Sequence, residues 1–316
     1  MKSPLSCDIV MEGGGVKGLG LVGALDVLSE RGYTVRRVAG TSAGAITGAL
    51  VAAGMSARAL KREMAGLDYK RFRDKGLLDK LGPIGMGASL LFENGIYEGA
   101  YLKAWLGDQL KNLGVETFAD LKLTEPWAQH LPPERRYKLV VVAADVTQGR
   151  LIRLPWDYHH YGLNPDTQRV ADAVRASMSV PFFFEPAHLG DSLVVDGAVL
   201  SNFPIDLFDD ITDWPTFGIK LSARPEANLK MNPTSGPIAF GEAIIQTMIN
   251  AHDQMHLDDP SVVSRTMFID TAEVHTLDFD VTRRQQDLLY ANGRHGADKF
   301  LTTWDFAAWK TTYGFK

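Results

Sequence analysis

Two stretches decide the fold: Asp8-Ile9-Val10-Met11-Glu12-Gly13-Gly14-Gly15-Val16-Lys17-Gly18 and Val38-Ala39-Gly40-Thr41-Ser42-Ala43-Gly44. Ile9 to Met11 reads as a short buried strand that runs into glycines. A helix is predicted from about Val16 to Arg31, with Leu21, Val22, Leu25 and Leu28 on one face and Gly32 stopping it. Val35 to Ala39 is the next strand, and a helix of small residues follows Gly44 through Ala53, with Gly54 behind it. Strand, helix, strand, helix at this spacing is a βαβ unit, whose crossover is nearly always right-handed. Its two strands are parallel, so the loops after them open on the same edge of the sheet. The glycine run and Ser42 are therefore expected to be neighbours.

Further along, Lys138 to Ala144 is strongly β-forming, and Thr147 to Arg150 turns into a strand near Leu151 to Leu154. Val170 to Ser177 reads as a helix stopping before Pro181. Leu193 to Val195 is a short strand ending at Asp196, and Thr216 to Leu221 another. Thr282 with Gln285 fits a capping box opening a late helix, with Leu288, Leu289 and Phe300 expected inward. Glu125 to Arg135 and Ser222 to Pro237 read as long surface loops, because similar α/β patterning continues on both sides. One domain over residues 1–316 is expected.

Composition narrows the function classes. The 316 residues are 45% hydrophobic and 22% charged, an ordinary globular balance. A net charge of −5 offers nothing to a nucleic acid. The single cysteine, Cys7, excludes an internal disulfide framework and any CxxC motif. Asp8 and Glu12 interrupt what would be a secretory signal core, and no apolar run reaches a membrane span. A cytoplasmic protein is expected, with signal-independent export open.

Gly40-x-Ser42-x-Gly44 fits a nucleophile elbow, a strained strand-to-helix turn that thrusts a serine hydroxyl above the sheet edge. The alternative is a tight turn in which Ser42 merely caps the helix. Gly13-Gly14-Gly15-Val16-Lys17-Gly18 also satisfies the dinucleotide fingerprint, but the acidic residue it demands about 20 positions on is missing; Arg36, Arg37, Val38 and Ala39 stand there. No Lys-Ser or Lys-Thr follows Gly18 to make a P-loop. Backbone amides at a helix start bind anions, and beside Ser42 the anion would be the oxygen of a tetrahedral acyl intermediate. The Ala43 amide and Lys17 could add favourable charge. Asp196-Gly197-Ala198 brings a carboxylate to a loop where Gly197 allows close backbone approach. None of the eight histidines sits in a convincing setting: His159-His160 lie in an aromatic loop, and His252 and His256 lack the glutamate of a zinc-protease helix. A Ser-Asp-His hydrolase keeps candidate histidines after Asp196. A lipid-binding scaffold without catalysis is a further alternative.

Together, Gly13-Gly14-Gly15-Val16-Lys17-Gly18, Gly40-Thr41-Ser42-Ala43-Gly44 and Asp196-Gly197-Ala198 resemble the patatin-like phospholipase family. Ala176-Ser177-Met178-Ser179-Val180-Pro181 and Asn202-Phe203-Pro204 resemble segments flanking its third motif, and Thr276 to Asp280 resembles bacterial members. The likeness spans residues 8 to about 222, leaving 223–316 as an extension. Lys17 replaces an arginine common there, and Ala198 a glycine. The resemblance implies a three-layer α/β/α sandwich with a mostly parallel sheet. It implies Ser42 as nucleophile, Asp196 as base, and the Gly13, Gly14 and Gly15 amides as oxyanion hole. It implies hydrolysis of phospholipid or other acyl-ester lipid without metal or cofactor, at a membrane or micelle surface. An unperturbed aspartate titrates at about 3.9, too low for a base near neutrality; partial burial beside Ser42 is expected to raise it. The apolar stretch Gly82 to Phe92 is a candidate lid or acyl channel, with a buried loop as alternative.

Overall fold

The computed structural model describes residues 5–72, 97, 99–211, 213–221, 259–271, 274–276 and 278–314, with positions 240, 241, 243, 244, 247 and 248. The βαβ unit is present. Strand β1 (Leu5–Met11) leads through a 3-10 turn, Gly15–Lys17, into helix α1 (Gly18–Glu30). Strand β2 (Tyr33–Thr41) then leads into helix α2 (Ala43–Ala52). The strands pair in parallel, Ile9 opposite Val38 and Met11 opposite Gly40, so both chains leave the sheet on one edge.

Around this unit the remaining elements are helices α3 (Ala57–Gly66) and α4 (Ala100–Asn112), then strands β3 (Leu139–Asp145) and β4 (Arg150–Leu154). Helix α5 (Val170–Ser177) precedes β5 (Ala187–Leu189), β6 (Ser192–Asp196) and β7 (Thr216–Lys220). Strand β8 (Thr266–Phe268) and helices α6 (Arg283–Thr303) and α7 (Phe306–Tyr313) close the chain. The sheet runs β5-β6-β3-β2-β1-β7-β8, with β4 also on β3. From β3 to β8 every pairing is parallel, while β6 and β4 meet β3 antiparallel. β3 is buried throughout, as a continuous run of Val and Ala in a sheet covered on both faces should be.

One face is covered by helices: α2 lies so close that a Cβ on Gly48 would meet Val38, Leu139 and Met11. Among the described residues, Phe203 and the 3-10 turn Ile205–Phe208 cover the opposite face, where a Cβ on Gly218 would strike Phe203 and Ile205.

The capping box of α6 forms as predicted, with the Thr282 hydroxyl accepting from the Gln285 amide. The inward set is only partly as expected. Leu289 is buried and Phe300 packs edge-on against Phe217, but Leu288 is 39% exposed. Backbone contact sets the rotation of this helix instead: a Cβ on Gly293 would lie 2.0 Å from the Gly20 carbonyl oxygen of α1. The Glu125–Arg135 stretch folds as two 3-10 turns over a small core of Leu123, Ala128 and Leu131. The candidate lid Gly82–Phe92, the Ser222–Pro237 loop, His252 and His256 lie outside the described residues. Among the described residues no helix is long and apolar enough to cross a membrane.

A buried charge cluster sits midway along the two strands of the unit. β2 carries an extra residue opposite Asp8, and that bulge brings Arg37 onto the Asp8 carboxylate. The Arg37 amide donates to Oδ1 at 2.9 Å, and its guanidinium to Oδ2 at 2.7 and 3.1 Å. The same guanidinium reaches Asp210 at 2.8 Å and the Phe208 carbonyl at 3.1 Å, tying the opposite layer to the sheet.

Candidate active site

Ser42 stands where β2 turns into α2, with φ 52° and ψ −120°. A non-glycine residue in that region is strained, and the strain persists only because its surroundings impose it. Gly40 and Gly44 make the turn possible. A Cβ on Gly40 would lie 2.2 Å from the Gly44 carbonyl, and one on Gly44 would lie 2.4 Å from the Met11 carbonyl oxygen. The Ser42 hydroxyl makes no cap to α2, which removes the capping alternative. Its backbone is clamped instead: the Ser42 amide donates to the Ser177 hydroxyl at 2.9 Å, which itself donates to the Val142 carbonyl at 2.6 Å.

Asp196 ends β6, two strands away, and is 2% exposed against 5% for Ser42. The antiparallel register sets Asp196 opposite Ala143. Gly197 is obligatory, since a Cβ there would lie 2.6 Å from the Val142 carbonyl oxygen. The Asp196 carboxylate accepts from the Ala198 amide at 2.9 Å, and its own amide donates to the Ser179 carbonyl at 2.9 Å. Burial pushes the Asp196 carboxyl up to about 7, with the Ala198 amide and the Ser42 hydroxyl pulling it partly back. The serine hydroxyl donates to the Met178 sulfur at 3.3 Å, and it lies near enough to the Asp196 carboxyl to favour its ionised form. Among the described residues no histidine hydrogen-bonds either Ser42 or Asp196: His159 is held by the Trp156 carbonyl, and His160 lies beside Asp157.

The glycine run lies against Ser42, since a Cβ on Gly13 would be 3.1 Å from the Ser42 Cβ. Its amides are not equivalent. Gly13 donates to Asn202 Oδ1 at 3.1 Å and more weakly to the Asn202 carbonyl at 3.4 Å. Val16 donates to the Thr276 carbonyl at 3.1 Å. Gly14 and Gly15 find no acceptor among the described residues, and the same holds for Ala43 at the start of α2. Asn202 thus takes the Gly13 amide, and of the three glycines it is Gly14 and Gly15 whose amides have no acceptor among the described residues. Gly15 needs its φ of +55°, and a Cβ there would strike the Thr276 carbonyl. Lys17 is half-buried in the turn, and Gly18 opens α1 against Met64 and Ala43.

Ser42 and the glycine run thus come together, as the parallel unit required, and Asp196 joins them from β6, which runs antiparallel to β3. Ser177, Met178 and Asn202 belong to stretches whose likeness was legible but whose contacts were not. Thr276, 260 residues from Val16 in sequence, seals the run from the far end of the chain.

Comparison with known proteins places this arrangement. A family model described as patatin-like phospholipase matches residues 9–209, which hold the glycine run, Ser42 and Asp196. The Bacillus subtilis protein YqhO is 36% identical over 305 residues, covering 95% of this chain and 99% of that one. An NTE family protein of Mycobacterium bovis is 31% identical over 212 residues, 66% of this chain and 29% of that much longer one. Among solved structures, VipD from Legionella pneumophila superposes with a TM-score of 0.56 at 19% identity, covering 95% of this chain and 67% of that one. The type III effector ExoU follows at 0.50 and 19%, covering 95% and 53%. At that identity the two structures speak to the fold, a mixed α/β architecture with a central sheet. On the family match and these relatives, the chain belongs to the patatin-like phospholipase family.

Proposed function

We propose that this protein is a phospholipase A- or lysophospholipase-type acyl hydrolase working through Ser42 and Asp196 by an acyl-enzyme. The observation that carries the reading is a strained serine beside a buried carboxylate raised to about 7, with two unclaimed amides alongside. Asp196 takes the Ser42 proton as the oxygen attacks the ester carbonyl carbon. The carbonyl oxygen becomes an alkoxide held by the Gly14 and Gly15 amides. As the intermediate collapses, the C–O bond to the leaving alcohol breaks and Asp196 returns the proton to it. Water then loses a proton to Asp196 and attacks the acyl carbon; the Ser42 Oγ–acyl bond breaks, Asp196 returns the proton to the Ser42 oxygen, and the fatty acid leaves. The substrate enters from a bilayer or micelle surface.

A fluorophosphonate probe tests the nucleophile. It is expected to label the native protein at Ser42 and to leave folded Ser42→Ala unmarked; native protein that resists labelling would favour the scaffold reading. Mass spectrometry of products from a mixed phospholipid extract, native against Ser42→Ala, identifies the bond cleaved.

The pH profile tests the base. Catalysis needs the carboxylate, so kcat/KM is expected to fall about tenfold per pH unit below about 7. Carboxyl ionisation absorbs little heat, so that limb should hardly move with temperature. A limb that shifts as an imidazole does, and disappears with one histidine, would revive the triad.

A further inference from the structure

Asn202 ends the loop that follows Asp196 and grips the glycine run in both directions. Its Oδ1 accepts the Gly13 amide at 3.1 Å, while Nδ2 lies 3.3 Å from the Gly13 carbonyl and 3.4 Å from Glu12 Oε1. Behind it, Glu12 and Lys220 form an ion pair with both side chains buried, and the second Glu12 oxygen accepts the Leu221 amide. Glu12 directly precedes the glycines and Lys220 ends β7, so the pair joins the ends of two neighbouring strands just behind the run. The same loop is tied to β2, where the Thr41 hydroxyl donates to the Ser201 carbonyl at 3.4 Å. A buried ion pair is a poor source of stability, because apolar residues of similar volume often do as well. Its value here is the fixed direction it imposes on the Asn202 amide.

We propose that Asn202, backed by Glu12 and Lys220, is a positioning residue that sets the oxyanion site. By holding both polar groups of Gly13 it fixes the orientation of the next two peptides, and so of the Gly14 and Gly15 amides against Ser42. Because Asn202 rides the Asp196 loop, one side chain holds the base and the oxyanion donors at a common spacing. The proposal rests on the acyl-hydrolase reading given under Proposed function.

The test compares wild type, Ser42→Ala, Asn202→Ala and Asn202→Asp on a soluble short-chain ester, with active sites titrated so that kcat is counted per competent serine. Asn202→Ala is expected to lose roughly 10²-fold in kcat with KM within about threefold, the loss typical of misplaced oxyanion donors. Affinity for a trifluoromethyl ketone, which forms a tetrahedral oxyanion on serine, should fall in parallel with kcat/KM. Asn202→Asp keeps an acceptor for Gly13 but loses both donated bonds, and should fall between. A merely structural role would lower Tm and the titratable fraction while leaving per-site kcat and ketone affinity near wild type; that result would overturn the proposal. Should Asn202→Ala fail to fold, Asn202→Asp decides by the same two readouts. Equal turnover by wild type and Ser42→Ala would remove the acyl-hydrolase reading itself, and the proposal with it.

Discussion

Asp196→Asn is expected to abolish turnover and to make the protein more stable, the second effect only above about pH 5. The loss in kcat should be roughly 10³–10⁵-fold, comparable to Ser42→Ala, because the amide cannot take the serine proton. The gain in stability follows from linkage. Below about pH 4 the carboxyl is protonated in the folded and unfolded chain alike, and the substitution gains nothing. Between about 4 and 7 the unfolded chain has released a proton that the folded one keeps, so native stability declines as pH rises. Above about 7 the native protein carries a buried carboxylate, a standing penalty of ~4 kcal/mol that asparagine does not bear. Urea denaturation at pH 8 and pH 4 reads this directly: a gain of about 2–4 kcal/mol at the higher pH and little at the lower. No gain at pH 8 would mean that Asp196 is not a raised carboxyl, and its fitness as base would go with it.

The second large effect lies at the bulge midway along β1 and β2. Arg37→Leu leaves Asp8 buried without its guanidinium and strips Asp210 and the Phe208 carbonyl of a donor. Removing one partner of a buried pair costs about 3–5 kcal/mol, and the melting temperature should drop by roughly 6–10 °C at ~2 °C per kcal/mol. The double variant Asp8→Val, Arg37→Leu should recover much of that loss, since the uncompensated charge is then gone. A double variant no more stable than the single one would show that the cluster acts by shape rather than by charge.

These predictions come from residues of very different legibility. Ser42 and the glycine run were brought together by a local rule: two parallel strands joined by a right-handed crossover open on one edge, and the glycines that permit the turn are visible in sequence. Asp196 required the likeness to a family, because its strand runs antiparallel and no spacing rule connects position 196 to position 42. Leu288 was misplaced for a related reason. Periodicity finds the apolar stripe of a helix, but the rotation of α6 is set by glycine backbones touching those of α1.

What the sequence determined by itself is the chemistry available and its approximate neighbourhood: the βαβ core, the strained serine turn, and the amides at a helix start. Those depend on hydrophobic period, crossover handedness and the missing Cβ of glycine, all local properties of the chain. Which amides stay free, and where the carboxyl titrates, was decided only by the tertiary structure. Asn202 binds the Gly13 amide from 189 positions away, and burial lifts Asp196 to about 7. Hydrogen-bond competition and desolvation both depend on atoms distant in the chain, and those distances exist only once the layers have packed.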